Sequence, residues 1–123
     1  MAALETKYTL RVRQLAYARS GDKGNTSNIG VIAYTEKAYE WLKAELTIDV
    51  VKNHFKEFSD GEVDRYELPN LLALNFVLHD VLGGGGSRSL RVDAQGKALG
   101  QAMLQLRIPA PSAYVIEEAR AAR

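Results

Sequence analysis

Hydrophobic and polar positions follow one another in two different rhythms along this chain. Tyr8, Leu10 and Val12 alternate with Thr9, Arg11 and Arg13, the period-two signature of a strand with one face buried. The parity flips afterwards, because Leu15 and Tyr17 fall on the odd phase; a one-residue bulge near Arg13–Gln14 would return both sets to one face. The stretch from Arg19 to Asn28 is polar, glycine-rich and aperiodic, and reads as a loop. Ile29 to Tyr34 follows as a short run with β-branched residues, suited to a central strand. The rhythm then becomes helical. Thr35 is a suitable N-cap for a helix over 36–46, with Tyr39, Leu42 and Leu46 on one side. Thr47 caps a second helix, with Asp49 in its first turn and Ile48, Val51, Phe55 and Phe58 as the buried stripe.

Beyond the Ser59-Asp60-Gly61 stop, residues 62–68 alternate again, with Asp64, Tyr66 and Leu68 on one face. Pro69-Asn70 ends that strand. Residues 71–82 are apolar on nearly every side. Leu71, Leu74, Leu78 and Val81 fit a helix, whereas Leu72, Leu74, Phe76 and Leu78 fit a strand. The twelve-residue length and the glycines that begin at Gly83 favour a buried helix with a glycine C-cap. Leu90 and Val92 suggest a short strand, and Asp93 to Gly96 a turn or a helix start. Leu99, Met103 and Leu106 suit a helix despite the interior Gly100. Leu104, Leu106 and Ile108 alternate as a last strand, which Pro109 and Pro111 carry out of the core in extended form. Helices set between separated, half-buried strands predict an α+β fold: a mostly antiparallel sheet with helices packed on one face. Residues 1–112 are expected to form one domain, with 113–123 a short charged tail, helical or frayed.

Composition narrows the chemistry. Leu, Ile, Val and Phe supply about a quarter of the 123 residues, enough for one core and too few residues for two. There is no cysteine, so disulfides, thiolate zinc sites and cysteine nucleophiles fall away, and two histidines cannot build a His-only metal site. Sixteen basic and fifteen acidic side chains leave a net charge of +1, which offers no broad basic field for nucleic acid. No apolar run is long enough to span a membrane and the N-terminus does not resemble a signal peptide, so a cytoplasmic protein is expected. Asp60, Glu62 and Asp64 lack the companion residues of a cation loop, and no metal or cofactor is expected.

Two segments carry candidate chemistry. In the first, Arg19, Ser20, Gly21, Lys23, Gly24, Asn25, Thr26 and Asn28 combine cations, hydrogen-bonding side chains and glycines that let backbone N–H groups face an anion. Asp22 is a candidate base or orienting group. The spacing is not that of a Walker loop, and a polar hairpin turn is the plainer alternative. In the second, Gly83, Gly84, Gly85 and Gly86 precede Ser87 and Arg88, whose guanidinium suits a bidentate pair with phosphate or carboxylate; a loose linker is the alternative. His79 is a candidate acid/base beside that loop, or a structural histidine. Asn70 suits a turn or a ligand equally. Asn75 stands between Leu74 and Phe76, where an apolar residue would pack at lower cost, and so is a candidate ligand-binding amide.

Five stretches in order resemble one family: Arg19-Ser-Gly-Asp-Lys-Gly-Asn-Thr-Ser-Asn-Ile-Gly-Val-Ile-Ala33, Tyr66-Glu-Leu-Pro-Asn70, Ala73-Leu-Asn-Phe-Val-Leu-His79, Leu82-Gly-Gly-Gly-Gly-Ser-Arg-Ser-Leu-Arg91 and Asp93-Ala-Gln-Gly-Lys-Ala-Leu99. They are similar to the small C-terminal domain of the AtuA family, named for acyclic terpene utilisation, and the resemblance runs from about Leu10 to Ile108. It implies a ferredoxin-like sandwich and a setting among bacterial genes for acyl-CoA breakdown of branched or terpenoid acids, without specifying a reaction. The chain is expected to be a stand-alone form, so that catalysis seated in the large N-terminal domain of full-length AtuA proteins would come from a partner. The function expected is an accessory ligand-binding subunit that takes an anionic small molecule, a CoA ester or carboxylate, on its glycine-rich loops. Two alternatives stay open. One is a small lyase or hydratase acting on acyl-CoA through Asp22 or His79. The other is an oligomerisation or docking module for a larger AtuA-like or acyl-CoA pathway protein. A homo-oligomer is expected in either case.

Overall fold

The computed structural model describes residues 8–23, 25–59, 61–80 and 98–123, with the backbone alone for Asp22, Lys23 and Ala98. Its strands are β1 (Thr9–Arg11), β2 (Ala16–Lys23), β3 (Thr26–Ala33), β4 (Val63–Leu68), β5 (Ala73–Leu78) and β6 (Arg107–Pro109). Its helices are α1 (Glu36–Glu45), α2 (Ile48–His54), α3 (Ala98–Gln105) and α4 (Ala113–Ala122). Strands β2 to β5 form an antiparallel sheet in the order β2-β3-β5-β4, and β1 pairs with β6 in a separate antiparallel ribbon. The sheet consists of two hairpins, each followed by helix, joined through their second strands β3 and β5. The α+β class holds.

Register separates the two faces. Ile29 lies opposite Ser20 and Phe76, and Val31 opposite Ala18 and Leu74, so these side chains share the helix side. Ile29, Val31, Leu74, Phe76 and Leu78 are buried there with Tyr39 and Leu42 of α1, Val51 of α2, and Leu99 and Met103 of α3. At roughly 25 cal/mol per Å² of apolar surface removed from water, these large side chains are the main stabilising term. Gly100 allows α3 to approach β2 closely: a Cβ there would stand 3.1 Å from Ser20 Oγ, and the Gly100 N–H donates to that oxygen at 3.2 Å. The helix starts follow the sequence. Thr35 Oγ1 accepts from Ala38 N at 3.1 Å and Thr47 Oγ1 from Val50 N at 3.3 Å.

Several expectations need correction. Residues 8–17 are not one bulged strand. A 3-10 turn over Val12–Gln14 separates β1 from β2, and rotation through this turn buries both Val12 and Leu15. Residues 19–23 and 26–28 of the polar segment are strand rather than loop, since β2 and β3 pair without interruption out to Lys23 and Thr26. Arg19 and Asn28 lie on the sheet face without helices, whereas Ser20 and Ser27 face the helix side. Residues 73–78 are strand, not helix. β5 is hydrogen-bonded on both edges, and only one of its faces meets the core. The preceding 3-10 turn, Pro69–Leu71, ends at Leu72 in the left-handed region (φ 53°). The second helix stops at His54, leaving Ile48 on its exposed side, and Leu104 belongs to α3 rather than to the last strand. The segment read as helical or frayed is the helix α4, whose Ala119 is buried. Expectations for Leu90, Val92 and 93–96 lie outside the described residues. Among the described residues, no helix is long and apolar enough to cross a membrane.

Candidate functional site

The sheet face opposite the helices contains the candidate site. Across the middle of the sheet runs the row Arg19–Gly30–Asn75–Tyr66; beside it lies Gly21–Asn28–Val77–Asp64, and on the other side Tyr17–Ile32–Ala73–Leu68. These positions surround a groove of about 350 Å³ lined by Arg19, Gly21, Asn28, Gly30, Asn75, Ile32, Ala73, Leu68 and Leu71, among others. One half is polar, with a guanidinium and two carboxamides. The other is apolar, and Leu68 and Leu71 rise along its rim, 40% and 64% exposed.

Gly30 defines the floor. A Cβ at this position would stand 3.8 Å from Asn75 Oδ1 and 3.9 Å from both Arg19 O and Ile32 Cδ1, ordinary contact distances. Neither packing nor a left-handed backbone requires glycine there, although glycine in a strand interior costs about 0.5–1 kcal/mol relative to alanine. What the glycine provides is room above the backbone between Arg19 and Asn75. Gly21 repeats the arrangement, with nothing within 4 Å of a Cβ added to it. Among the described residues the side chains of Arg19, Asn28 and Asn75 make no hydrogen bond or ion pair to protein. They are available to a ligand: a cation with fixed fork geometry, and two amides that both donate and accept.

Four of the expected ligand residues, Arg19, Gly21, Asn28 and Asn75, therefore meet in one groove. Ser20 contributes to its lining, but its hydroxyl is turned to the helix side, where it caps Gly100 N. Asn25 and Thr26 lie at the tip of the β2–β3 hairpin, and the exposed Asn70 sits in the 3-10 turn at the other end of the sheet, so these do not join the groove. Asp22 and Lys23 occupy the end of β2, without described side chains. Gly24, Gly83, Gly84, Gly85, Gly86, Ser87 and Arg88 lie outside the described residues.

His79 is held through its ring. Its Nε2 lies 2.8 Å from Asp64 Oδ2, and both side chains are partly exposed. Asp64 is in the row next to Asn75, so the pair flanks the groove on the open face. His54 has a different role: its Nε2 is 2.7 Å from Ala102 O, tying α2 to α3. No cluster of His, Cys, Asp and Glu among the described residues could hold a metal ion.

Sequence reasoning missed Gly30, Ile32, Leu68 and Leu71, and weighed Asp64 only as a cation ligand. The signal for Gly30 was present, since a glycine interrupts the β-branched run Ile29-Gly30-Val31-Ile32.

Both the antiparallel sheet covered by helices on one side and the residue segments that build the groove agree with a match of residues 10–109 to the family model of the AtuA ferredoxin-like domain. The chain belongs to the AtuA ferredoxin-like domain family. No curated protein and no solved structure matches it. In this AtuA domain the match takes in every described strand of the sheet and the whole groove. α4 lies beyond the match yet packs on α1 with Val115 and Ile116 against the core.

Proposed function

We propose that this AtuA domain is an accessory binding subunit for an organic anion with an apolar body, a branched carboxylate or its CoA ester, held in the groove on the open sheet face. The observation that carries the reading is the pairing of unengaged polar groups with an apolar wall over a glycine floor. Arg19 takes the anionic end, as a guanidinium forms charge-assisted hydrogen bonds stronger than neutral ones. Asn28 and Asn75 orient the carbonyl, while Ile32, Leu68 and Leu71 cover the hydrocarbon. The family setting in acyl-CoA and terpenoid-acid breakdown agrees with a ligand of this shape. A larger AtuA-like or acyl-CoA pathway protein is the proposed partner that acts on the bound acid.

Calorimetric titration with branched free acids and their CoA esters tests the reading. Arg19→Gln should weaken binding about tenfold or more, the size of a charge-assisted hydrogen bond. Gly30→Val should abolish it while the far-ultraviolet spectrum stays unchanged. Absence of heat with every acid and ester, or unchanged binding in Gly30→Val, would refute the proposal.

The His79–Asp64 contact supports a second reading, a small hydratase or lyase. Here the carboxylate orients the imidazole as a general base at the groove's edge. Turnover of a branched enoyl-CoA by the isolated chain, lost in His79→Gln and reduced in Asp64→Asn, would establish it over binding alone. The exposed Tyr17, Tyr66, Leu68 and Leu71 on the same face favour a contact with a second copy or a partner chain. Light scattering that detects only monomer would exclude the homo-oligomer.

A further inference from the structure

A second concave surface, of about 240 Å³, shares no residue with the groove and is lined by Arg11, Arg13, Gln14 and Arg123. A fourth arginine adjoins it: Arg107 of β6 lies directly opposite Arg11 of β1, on the outward face of the ribbon. Like charges directly opposed across a strand pair are destabilising, so this register requires a compensating charge. Among the described residues, none of these four guanidinium groups forms an ion pair, and the one side-chain hydrogen bond from Arg107 goes to Thr9 Oγ1 at 3.2 Å. Arg123 alone is accounted for by the end of α4, where a cation complements the helix dipole; Arg11, Arg13 and Arg107 have no such explanation. Gln14 accepts the Arg11 N–H through Oε1 at 3.2 Å, which leaves its Nε2 hydrogens as further donors at the cavity.

We infer that this arginine cluster binds the phosphate group of a small phosphorylated ligand. A carboxylate bears one charge, which one guanidinium matches. Three arginines around one cavity match the multiple charges and several oxygens of a phosphate or pyrophosphate, which arginine takes in bidentate fashion. The cavity is smaller than the roughly 300–1,000 Å³ of sites that enclose a whole drug-sized ligand, so it accepts the phosphate end and leaves the rest of the molecule outside. The inference does not rest on the groove or its ligand.

The test is titration of the whole chain with pyrophosphate at low ionic strength, with ADP as an organic phosphate and sulfate as a control anion. Pyrophosphate should bind and sulfate should bind at least tenfold more weakly. Arg11→Gln and Arg13→Gln should each lower pyrophosphate affinity on the order of tenfold, whereas Arg19→Gln in the groove should leave it unchanged. ADP binding as tightly as pyrophosphate, with the same losses in the variants, assigns the site to an organic phosphate; binding of pyrophosphate alone assigns it to the free ion. Thermal unfolding is the second readout. Arg107→Gln should raise the melting temperature of the free protein, and pyrophosphate should stabilise the wild type more than Arg13→Gln, an exposed substitution compatible with folding. No heat with pyrophosphate or ADP, equal binding of sulfate, or a loss in Arg19→Gln equal to that in Arg11→Gln would overturn the inference.

Discussion

Two glycines show how one residue type serves opposite ends at the residue scale. Gly30 has room for a side chain, whereas Gly61 has none: a Cβ there would stand 2.7 Å from His79 O and 2.8 Å from Asp80 Oδ2. Gly61→Ala must displace backbone at the turn that brings β4 beside the end of β5, and should cost about 1–3 kcal/mol of stability in urea unfolding. An unchanged midpoint would refute that expectation. Gly30→Ala should do the opposite. The new methyl fits at contact distance, and the unfolded chain loses freedom, so stability should rise by about 0.4–1 kcal/mol. A gain of this kind at a position where a larger side chain destroys binding would mark Gly30 as kept for the groove rather than for the fold.

Elements depend on their ends and their sides. α2 has seven residues, short for an isolated helix in water, so its cap and its buried face carry it. Thr47→Ala and Thr35→Ala should each cost about 1 kcal/mol, read as a lowered unfolding midpoint, and the cost should fall mostly away in Thr→Asn variants. Strand β5 shows why periodicity misled. Its helix-side residues Leu74, Phe76 and Leu78 are buried, but Ala73 and Val77 on the other face are apolar too, as part of the open face. An apolar run of this kind satisfies both helical and strand templates until its hydrogen-bond partners are known. In β2 and β3 the converse occurs, because polar residues on both faces made a paired hairpin look like a loop.

For the whole molecule, the question is what holds the last segment and what leaves the sheet half uncovered. α4 packs on α1 and on the turn after β1, and Trp41 of α1 donates its indole N–H to Pro109 O at 2.7 Å. Truncation after Ser112 removes the buried Ala119 and the packed Val115 and Ile116, and should lower stability by about 2 kcal/mol or more. Truncation without effect on the unfolding midpoint would show that the helix is an appendage. The four-stranded sheet, by contrast, meets described helices on one side alone. This geometry leaves Arg19, Asn28 and Asn75 available above Gly30.

The α+β class, the two threonine caps, the Asp64–Tyr66–Leu68 face and several of the groove's ligand candidates were legible in the sequence. Each follows from local chemistry: a hydroxyl before a helical run, a strict alternation, an amide set among leucines, a cation near glycines. Tertiary structure alone decided that 19–23 and 26–28 are strand, that 73–78 is strand, and that Arg19 and Asn75 share one groove while Ser20 turns away from it. Arg19 and Asn75 are 56 residues apart and meet only because β3 lies between β2 and β5 in a particular register. Register is a property of paired strands, set where both bury the same face, and no single segment contains it. The same holds for the opposed Arg11 and Arg107, whose costly proximity becomes visible only once β1 and β6 are paired.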